Sequence, residues 1–82
     1  MPGKPRTLRG EDVIRILTTF GFQSRRSARR HAKLRRLGAG GERQTLHIPL
    51  HREIRRGTLR AIYQQALQYI ADDELRGHFY TE

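Results

Sequence analysis

The stretch Thr45-Leu-His-Ile-Pro-Leu50 alternates between polar and apolar side chains, which is the pattern of a β-strand with one buried face. The stretch His31-Ala-Lys-Leu-Arg35 alternates in the same way. Between them lies Gly38-Ala-Gly-Gly-Glu42, which is glycine-rich enough for a hairpin loop. The two strands are therefore predicted to pair antiparallel.

Pairing of these strands sorts their side chains onto two faces, because successive residues of a strand point to opposite sides. The apolar face holds Ala32, Leu34, Leu46, Ile48 and Leu50. The polar face holds His31, Lys33, Arg35, Thr45 and His47. We predict that the first face is core and that the second is open for chemistry. Pro49 has no N–H to donate, so we expect it at a strand end or a sheet edge.

The flanking sequence predicts the remaining elements. From about Arg9 to Phe20 apolar residues recur at helical spacing, and Gly21 supplies a left-handed stop. A third strand is predicted near Phe22–Arg26. Gly57-Thr58 should open a second helix with the threonine as N-cap, and Asp72-Asp-Glu74 a short last helix. The prediction is an α+β domain of order α-β-β-β-α, in which a three-stranded antiparallel sheet carries two helices on one face, plus a short C-terminal helix.

Length and charge limit the function. With 82 residues the chain has room for one domain, predicted over residues 8–82, and residues 1–7 are predicted to be a disordered basic tail. The 17 Lys and Arg residues against 8 acidic ones give a net charge of +9, which attracts polyanions. RNA, DNA or a strongly acidic protein are the natural partners. Composition alone fits a ribosomal-type or histone-like protein equally well.

Several classes of protein are disfavoured. The chain has no cysteine, which excludes disulfides and thiolate zinc sites and fits a reducing cytoplasm. It has no signal-peptide-like start and no apolar run of membrane-spanning length, so we expect a soluble cytoplasmic protein without a membrane partner. Its four histidines lack carboxylate companions at ligand spacing, and Gly38–Gly41 lacks the lysine and hydroxyl of a nucleotide-binding loop. No metal or cofactor is expected.

The segment from Leu46 to Ala66 resembles the HicA family in residue order and spacing. The matching positions are Pro49, His51, Glu53-Ile54, Gly57-Thr58-Leu59, Ile62, Gln65 and Ala66. His31 resembles the single catalytic histidine of that family, which follows a Gly-Ser pair early in the second strand. Here the two preceding residues are Arg29 and Arg30, which add bulk and charge. The resemblance extends from Leu8 to about Leu75 and implies a fold similar to the double-stranded RNA-binding domain.

The resemblance also implies a function. HicA proteins are small RNA-cleaving toxins, so the chain is expected to be the toxin of a type II HicA/HicB toxin–antitoxin system. It would be a metal-independent, ribosome-independent endoribonuclease (mRNA interferase) that uses His31 as general base and is neutralised by a HicB-like antitoxin. The alternative is a non-catalytic double-stranded RNA-binding module that has lost turnover through Arg29-Arg30. A DNA-binding subunit is a third possibility, although the second helix has few cations beyond Arg60.

Other residues are candidates for supporting roles. Lys33 should lie about 7 Å from His31 on the same strand face, where it would neutralise phosphate charge, or it is an ordinary solvated lysine. His47 is a candidate second acid or base, with ordinary surface as the alternative. His51 is expected to fix the loop before the second helix. The cations predicted to bind RNA are Arg25, Arg26, Arg29, Arg30, Arg35 and Arg36, together with Arg55 and Arg56 at a helix N-terminus.

Overall fold

A three-stranded antiparallel sheet organises the protein, whose computed structural model describes residues 3–28 and 30–81. The elements in chain order are β1 (Lys4–Pro5), α1 (Gly10–Thr19), β2 (Gln23–Ala28), β3 (His31–Leu37), β4 (Arg43–Pro49), α2 (Arg56–Ala66), α3 (Asp72–Phe79) and β5 (Tyr80–Thr81). The sheet has the order β2-β3-β4, so β3 is its central strand. The predicted α+β class and its α-β-β-β-α order with a short C-terminal helix are confirmed.

The hairpin between β3 and β4 fixes the register of the sheet. His31 pairs with Pro49 and Leu37 with Arg43, so each strand extends beyond the predicted bounds toward the loop. The loop is closed by a 2.8 Å hydrogen bond from the Gly38 N–H to the Glu42 carbonyl, and Gly41 takes the left-handed conformation with φ of 83°. Pro49 ends β4 at an edge of the sheet, as expected from its missing N–H.

The inner face of the sheet forms the core beneath the helices. Ala32, Leu34, Leu46 and Ile48 have no exposed surface. Each helix adds buried side chains to the same cluster, namely Val13 and Leu17 from α1, Leu59 and Ile62 from α2, and Leu75 and Phe79 from α3. Complete burial of a large apolar side chain contributes about 1.5–3 kcal/mol. This cluster therefore supports the sheet whose other face remains open.

The end of the sheet near His31 is fixed by backbone hydrogen bonds. The Leu50 N–H donates to the Arg30 carbonyl at 2.6 Å, which joins the segment after β4 to the turn before β3. The Gly10 N–H donates to the His51 carbonyl at 2.9 Å. A side chain at Gly10 would collide with the backbone of Pro49 and Leu50, so glycine allows the start of α1 to approach this segment. His51 thus fixes the loop through its backbone, in the position expected for it.

The predicted start of the second helix was wrong. The helix begins at Arg56 with Arg55 as N-cap, so Thr58 lies inside the helix and is not its cap. The Leu59 N–H already donates to the Arg55 carbonyl at 2.8 Å. Ile54 before the cap and Leu59 in the second turn are both buried, at the positions of a hydrophobic staple. Burial of this apolar pair sets the start of the helix, because it contributes more than the preference of threonine for the N-cap position.

The N-terminal segment also differs from the prediction of a disordered tail over residues 1–7. Lys4 pairs with Thr81 and Pro5 with Tyr80 in a short antiparallel ladder, and the Arg6 N–H donates to the Phe79 carbonyl at 2.9 Å. The partner is the backbone after α3, and backbone pairing of this kind leaves no signal in composition. Residues 1 and 2 lie outside the described part. No helix in residues 3–28 or 30–81 has the length and apolar character needed to cross a membrane.

Candidate active site

The face of the sheet turned away from the helices, here called the outer face, holds the polar side chains. Its rows, read from β2 through β3 to β4, are Ala28–His31–Pro49, Arg25–Lys33–His47, Gln23–Arg35–Thr45, and finally Leu37–Arg43 on β3 and β4 alone. No position in these rows is acidic. Within the described residues, no group of three or more His, Asp or Glu side chains is arranged to hold a metal ion.

His31 is the first residue of β3 and is exposed to solvent. It follows the turn residue Arg30, whose carbonyl accepts the Leu50 hydrogen bond. Its backbone pairs with Ala28 on β2 and with Pro49 on β4. The imidazole therefore belongs to a position whose backbone is held by a strand on each side.

His47 lies on β4, diagonal to His31. The register places His47 opposite Lys33 and Pro49 opposite His31, so the two histidines are two positions apart across one strand pair. Such diagonal neighbours are separated by about 7–8 Å. The register therefore places His47 diagonal to His31 and not directly opposite it. An imidazole pair at this separation can contact the two sides of one phosphate.

Gln65 holds the edge strand behind His47. The His47 N–H points away from β3 and donates to the Gln65 Oε1 at 3.2 Å. Gln65 projects from α2, so this hydrogen bond links the second helix directly to the free edge of β4. It also covers an N–H that would otherwise be open to another strand. Sequence analysis gave Gln65 only as part of a matching pattern.

Lys33 occupies the centre of the cationic row. It is half-buried, with Arg25 opposite on β2 and His47 opposite on β4. Arg25 and His47 are exposed. Because Arg25 adjoins Lys33, Arg35 lies in the next row and none of the rows holds a carboxylate, this part of the sheet carries a positive potential that favours a bound anion.

The other predicted RNA-binding cations are spread over the molecule. Arg35 is half-buried in the next row of the outer face, and Arg30 is exposed in the turn before His31. Arg55 and Arg56 are exposed at the start of α2, and Arg56 lines a cavity of about 230 Å³ with residues 5–7. The fold does not bring these two arginines to the outer face. The side chain of Arg26 and the whole of Arg29 lie outside the described residues.

Among the predicted RNA-binding residues whose side chains the structure describes, Arg36 uses its guanidinium for hydrogen bonds within the fold. It donates to the carbonyls of Phe20 at 2.7 Å and of Tyr69 at 2.6 Å, and to the Gln44 side chain. It also lies 4.8 Å from the centre of the Phe22 ring. Position 36 has the parity of the inner face, which turns the side chain toward the helices. We assign Arg36 a structural role and leave it out of the proposed RNA-binding set.

Arg43 is an outer-face cation that sequence analysis missed. It pairs with Leu37 at the loop end of the hairpin and is exposed. The dense run of arginines ends before the glycine loop and Arg43 follows that loop, so charge density does not single it out. Its separation from His47 by an even number of residues is the signal that would have placed it on the same face.

Comparison with known families agrees with this geometry. The family model described as "HicA toxin of bacterial toxin-antitoxin" matches residues 10–67, from the start of α1 to just beyond the end of α2. No curated protein and no solved structure gave a match. Because the family match covers more than half of the chain, the protein belongs to the HicA family, the toxins of bacterial toxin–antitoxin systems, and an antitoxin is its implied partner.

Proposed function

We propose that this toxin is a metal-independent, ribosome-independent endoribonuclease that cuts mRNA in the cytoplasm. A HicB-like antitoxin would neutralise it in a type II system. One observation carries the proposal: His31 is exposed on a basic face without acids, in the row next to Lys33 and diagonal to His47. Membership in the HicA family supports it independently.

His31 acts as the general base in this proposal. Its imidazole takes the proton of an RNA 2′-hydroxyl, and the 2′-oxygen then forms a bond to the adjacent phosphorus. The bond between phosphorus and the 5′-oxygen breaks, which leaves a 2′,3′-cyclic phosphate on one product and a 5′-hydroxyl on the other. The exposed position of His31 at the start of β3 supports this role, because the substrate can reach it from solvent.

Lys33 stabilises the charge that develops on the phosphate oxygens. It lies in the neighbouring row, and Arg25 beside it adds a second cation. Preorganised cations facing a developing anion are among the largest contributions to catalysis. Arg30, in the turn before β3, and Arg35, in the next row of the outer face, would hold the flanking backbone phosphates.

His47 is the proposed general acid. A proton must be given to the departing 5′-oxygen, and a donor on the side opposite the base fits in-line displacement. The diagonal relationship of His47 to His31 supports this assignment. Lys33 is two residues from His31 along β3 and lies opposite His47, so it adjoins both histidine positions and would contact a phosphate held between them.

The net charge of +9 supports both proposed partners. It speeds the approach of RNA and of an acidic antitoxin alike, since electrostatic attraction mainly raises association rates. An antitoxin that covers the outer face would block His31 and would also stabilise a small domain by mass action. The domain proposed for both interactions is residues 8–82 together with the paired segment from Lys4 to Arg6.

Arg30 directly before His31 is the observation that favours a second function. Where the family pattern has a small residue, the exposed arginine adds bulk beside the proposed base. The second candidate is therefore a non-catalytic module that binds double-stranded RNA. Such a module would bind RNA with the same salt dependence as the proposed nuclease but would not cleave it.

The test incubates the purified toxin, separated from antitoxin, with a structured synthetic mRNA. Ribosomes are absent, and the reaction is run both without and with a chelator. Cleavage that leaves 2′,3′-cyclic phosphate and 5′-hydroxyl ends would support the proposal. Binding without cleavage would select the RNA-binding module. Cleavage that stops when the chelator is added would overturn the metal-independent mechanism.

A further inference from the structure

A shallow cavity opens on the outer face at the end far from His31. Its volume is about 440 Å³. The lining residues are Gly21, Gln23, Arg25, Arg35, Arg36, Leu37 and Arg43. Four of the seven are arginines and none is acidic, so the cavity suits an anion.

The arginines of this cavity differ in what they already bind. Arg36 is committed to its carbonyl and amide acceptors, as described above. Within the described part of the chain, the buried Nε of Arg35 has no hydrogen-bond partner. Buried donors in folded proteins nearly always have an acceptor, so the unpaired Nε distinguishes Arg35 from the fully engaged Arg36. Arg43 on the neighbouring strand is exposed, and Gln23 opposite Arg35 can add an amide donor.

Arg25, on one side of the cavity, faces Lys33, but the end of the cavity formed by Arg35 and Arg43 lies too far from His31 to hold the phosphate that is cleaved. Arg35 is four residues along β3 from His31, a distance of about 13 Å in a strand. Lys33 lies between them on the same face. A strand of RNA that follows β3 would therefore meet cations in sequence from the proposed base to the cavity.

We propose that this cavity is a phosphate subsite that binds a backbone phosphate distant from the cleaved one, with Arg35, Arg43 and Gln23 as its ligands. The inference rests on the proposed function and identifies a binding site that positions the RNA strand. Guanidinium groups bind phosphate through paired, charge-assisted hydrogen bonds, which suits arginines on two adjacent strands.

An RNA strand fits this cavity better than an acidic polypeptide. The cations Lys33 and Arg35 lead along β3 from His31 to the cavity. One RNA strand can therefore occupy the cleavage site and the cavity at the same time. Leu37 at its rim is 69% exposed, and it offers an apolar contact to a ribose or a base. An acidic polypeptide would also pair with the arginines of the cavity, but its binding there would not require it to extend to His31.

The experiment compares Arg43→Gln with Arg60→Gln, each in a His31→Ala protein so that RNA remains intact. Arg60 is an exposed arginine on α2, so its substitution makes the same charge change away from the outer face. We expect Arg43→Gln to weaken the binding of single-stranded RNA several-fold. The slope of log K against log salt should fall by about 0.7, the value for one phosphate contact. Arg60→Gln should change neither quantity appreciably.

A short oligonucleotide makes the test specific. An RNA too short to reach from position 31 to the cavity should bind the Arg43→Gln and Arg60→Gln proteins equally. Equal effects of the two substitutions on long RNA would overturn the subsite while leaving the proposed function intact. Loss of polyglutamate binding without loss of RNA binding would overturn it in favour of a protein-binding site. Absence of RNA binding in every protein, with native circular dichroism, would overturn the proposed function itself.

Discussion

Lys33 and His47 face each other directly across β3 and β4, which places His47 diagonal to His31 on the same open face. The relationship follows from the hairpin, whose loop closes between Gly38 and Glu42 and so fixes the register of every pair up to His31. A shift by one residue would turn one of the two histidines into the core. The pairing therefore links loop geometry to the proposed chemistry.

The side chain of His47 should contribute to RNA cleavage. We expect His47→Ala to lower the cleavage rate by about 100-fold, within the usual contribution of a general acid. His51→Ala is the matched control, because His51 is exposed and its role in the fold is carried by its backbone carbonyl. Equal cleavage by His47→Ala and wild type would eliminate His47 from the mechanism.

Removal of the Gln65 side chain should destabilise the edge of the sheet. Gln65→Ala leaves the His47 N–H without its acceptor, and we expect a loss of about 1 kcal/mol in the free energy of unfolding. The neighbouring Gln64 is exposed on the same helix, so Gln64→Ala should change stability much less. Urea unfolding followed by circular dichroism measures both. Identical midpoints for the two variants would show that this hydrogen bond does not stabilise the fold.

Substitution of Arg36 should affect stability and leave RNA binding almost unchanged. Lysine cannot reproduce the fork of donors that reaches Phe20, Tyr69 and Gln44, so Arg36→Lys should cost about 2–3 kcal/mol. Because the charge is retained, the salt slope of RNA binding should stay the same. A stable Arg36→Lys protein with a reduced slope would return Arg36 to the RNA-binding set.

Asp12 should make stability depend on pH. The backbone N–H of Arg9 donates to the Asp12 Oδ2 at 2.8 Å, and this hydrogen bond, helped by the charge of Arg9 and Arg15, lowers the pKa of Asp12 below 3.8. Because folding lowers this pKa, the carboxylate stabilises the protein above about pH 3.8, and the contribution disappears as the pH falls through the lowered pKa.

The variant Asp12→Asn should therefore lose about 0.5–1 kcal/mol at neutral pH, where the helix N-terminus favours the charge. The difference from wild type should shrink well below pH 3.8, where both side chains are neutral. Unfolding free energies measured at both pH values provide the check. A difference that stays constant with pH would mean that the charge of Asp12 contributes nothing.

The fold was predictable because the alternation in β3 and β4 is regular and the loop between them is short. Ala32, Leu34, Leu46 and Ile48 could be assigned to the core from parity alone, and all four have no exposed surface. The same parity separates Arg36 from Arg35, yet charge density suggested one common role. In β3 the two-residue period of the strand predicts the role of each arginine better than charge density does.

Other features could not be read from the sequence because they depend on distant backbone groups. The pairing of Lys4 with Thr81 requires the C-terminal strand, and the start of α2 depends on the joint burial of Ile54 and Leu59. The contact from Gln65 to the edge of β4 requires the packing of helix against sheet. The placement of His47 required the strand register, which alternation alone leaves open.

The role of His31 is tested by comparing cleavage of one structured mRNA by wild type and by His31→Ala, with equal folding shown by circular dichroism. We expect wild type to cleave the RNA, and we expect His31→Ala to bind it with similar affinity without cleaving it. Equal cleavage by both proteins would contradict the assignment of His31 as the base.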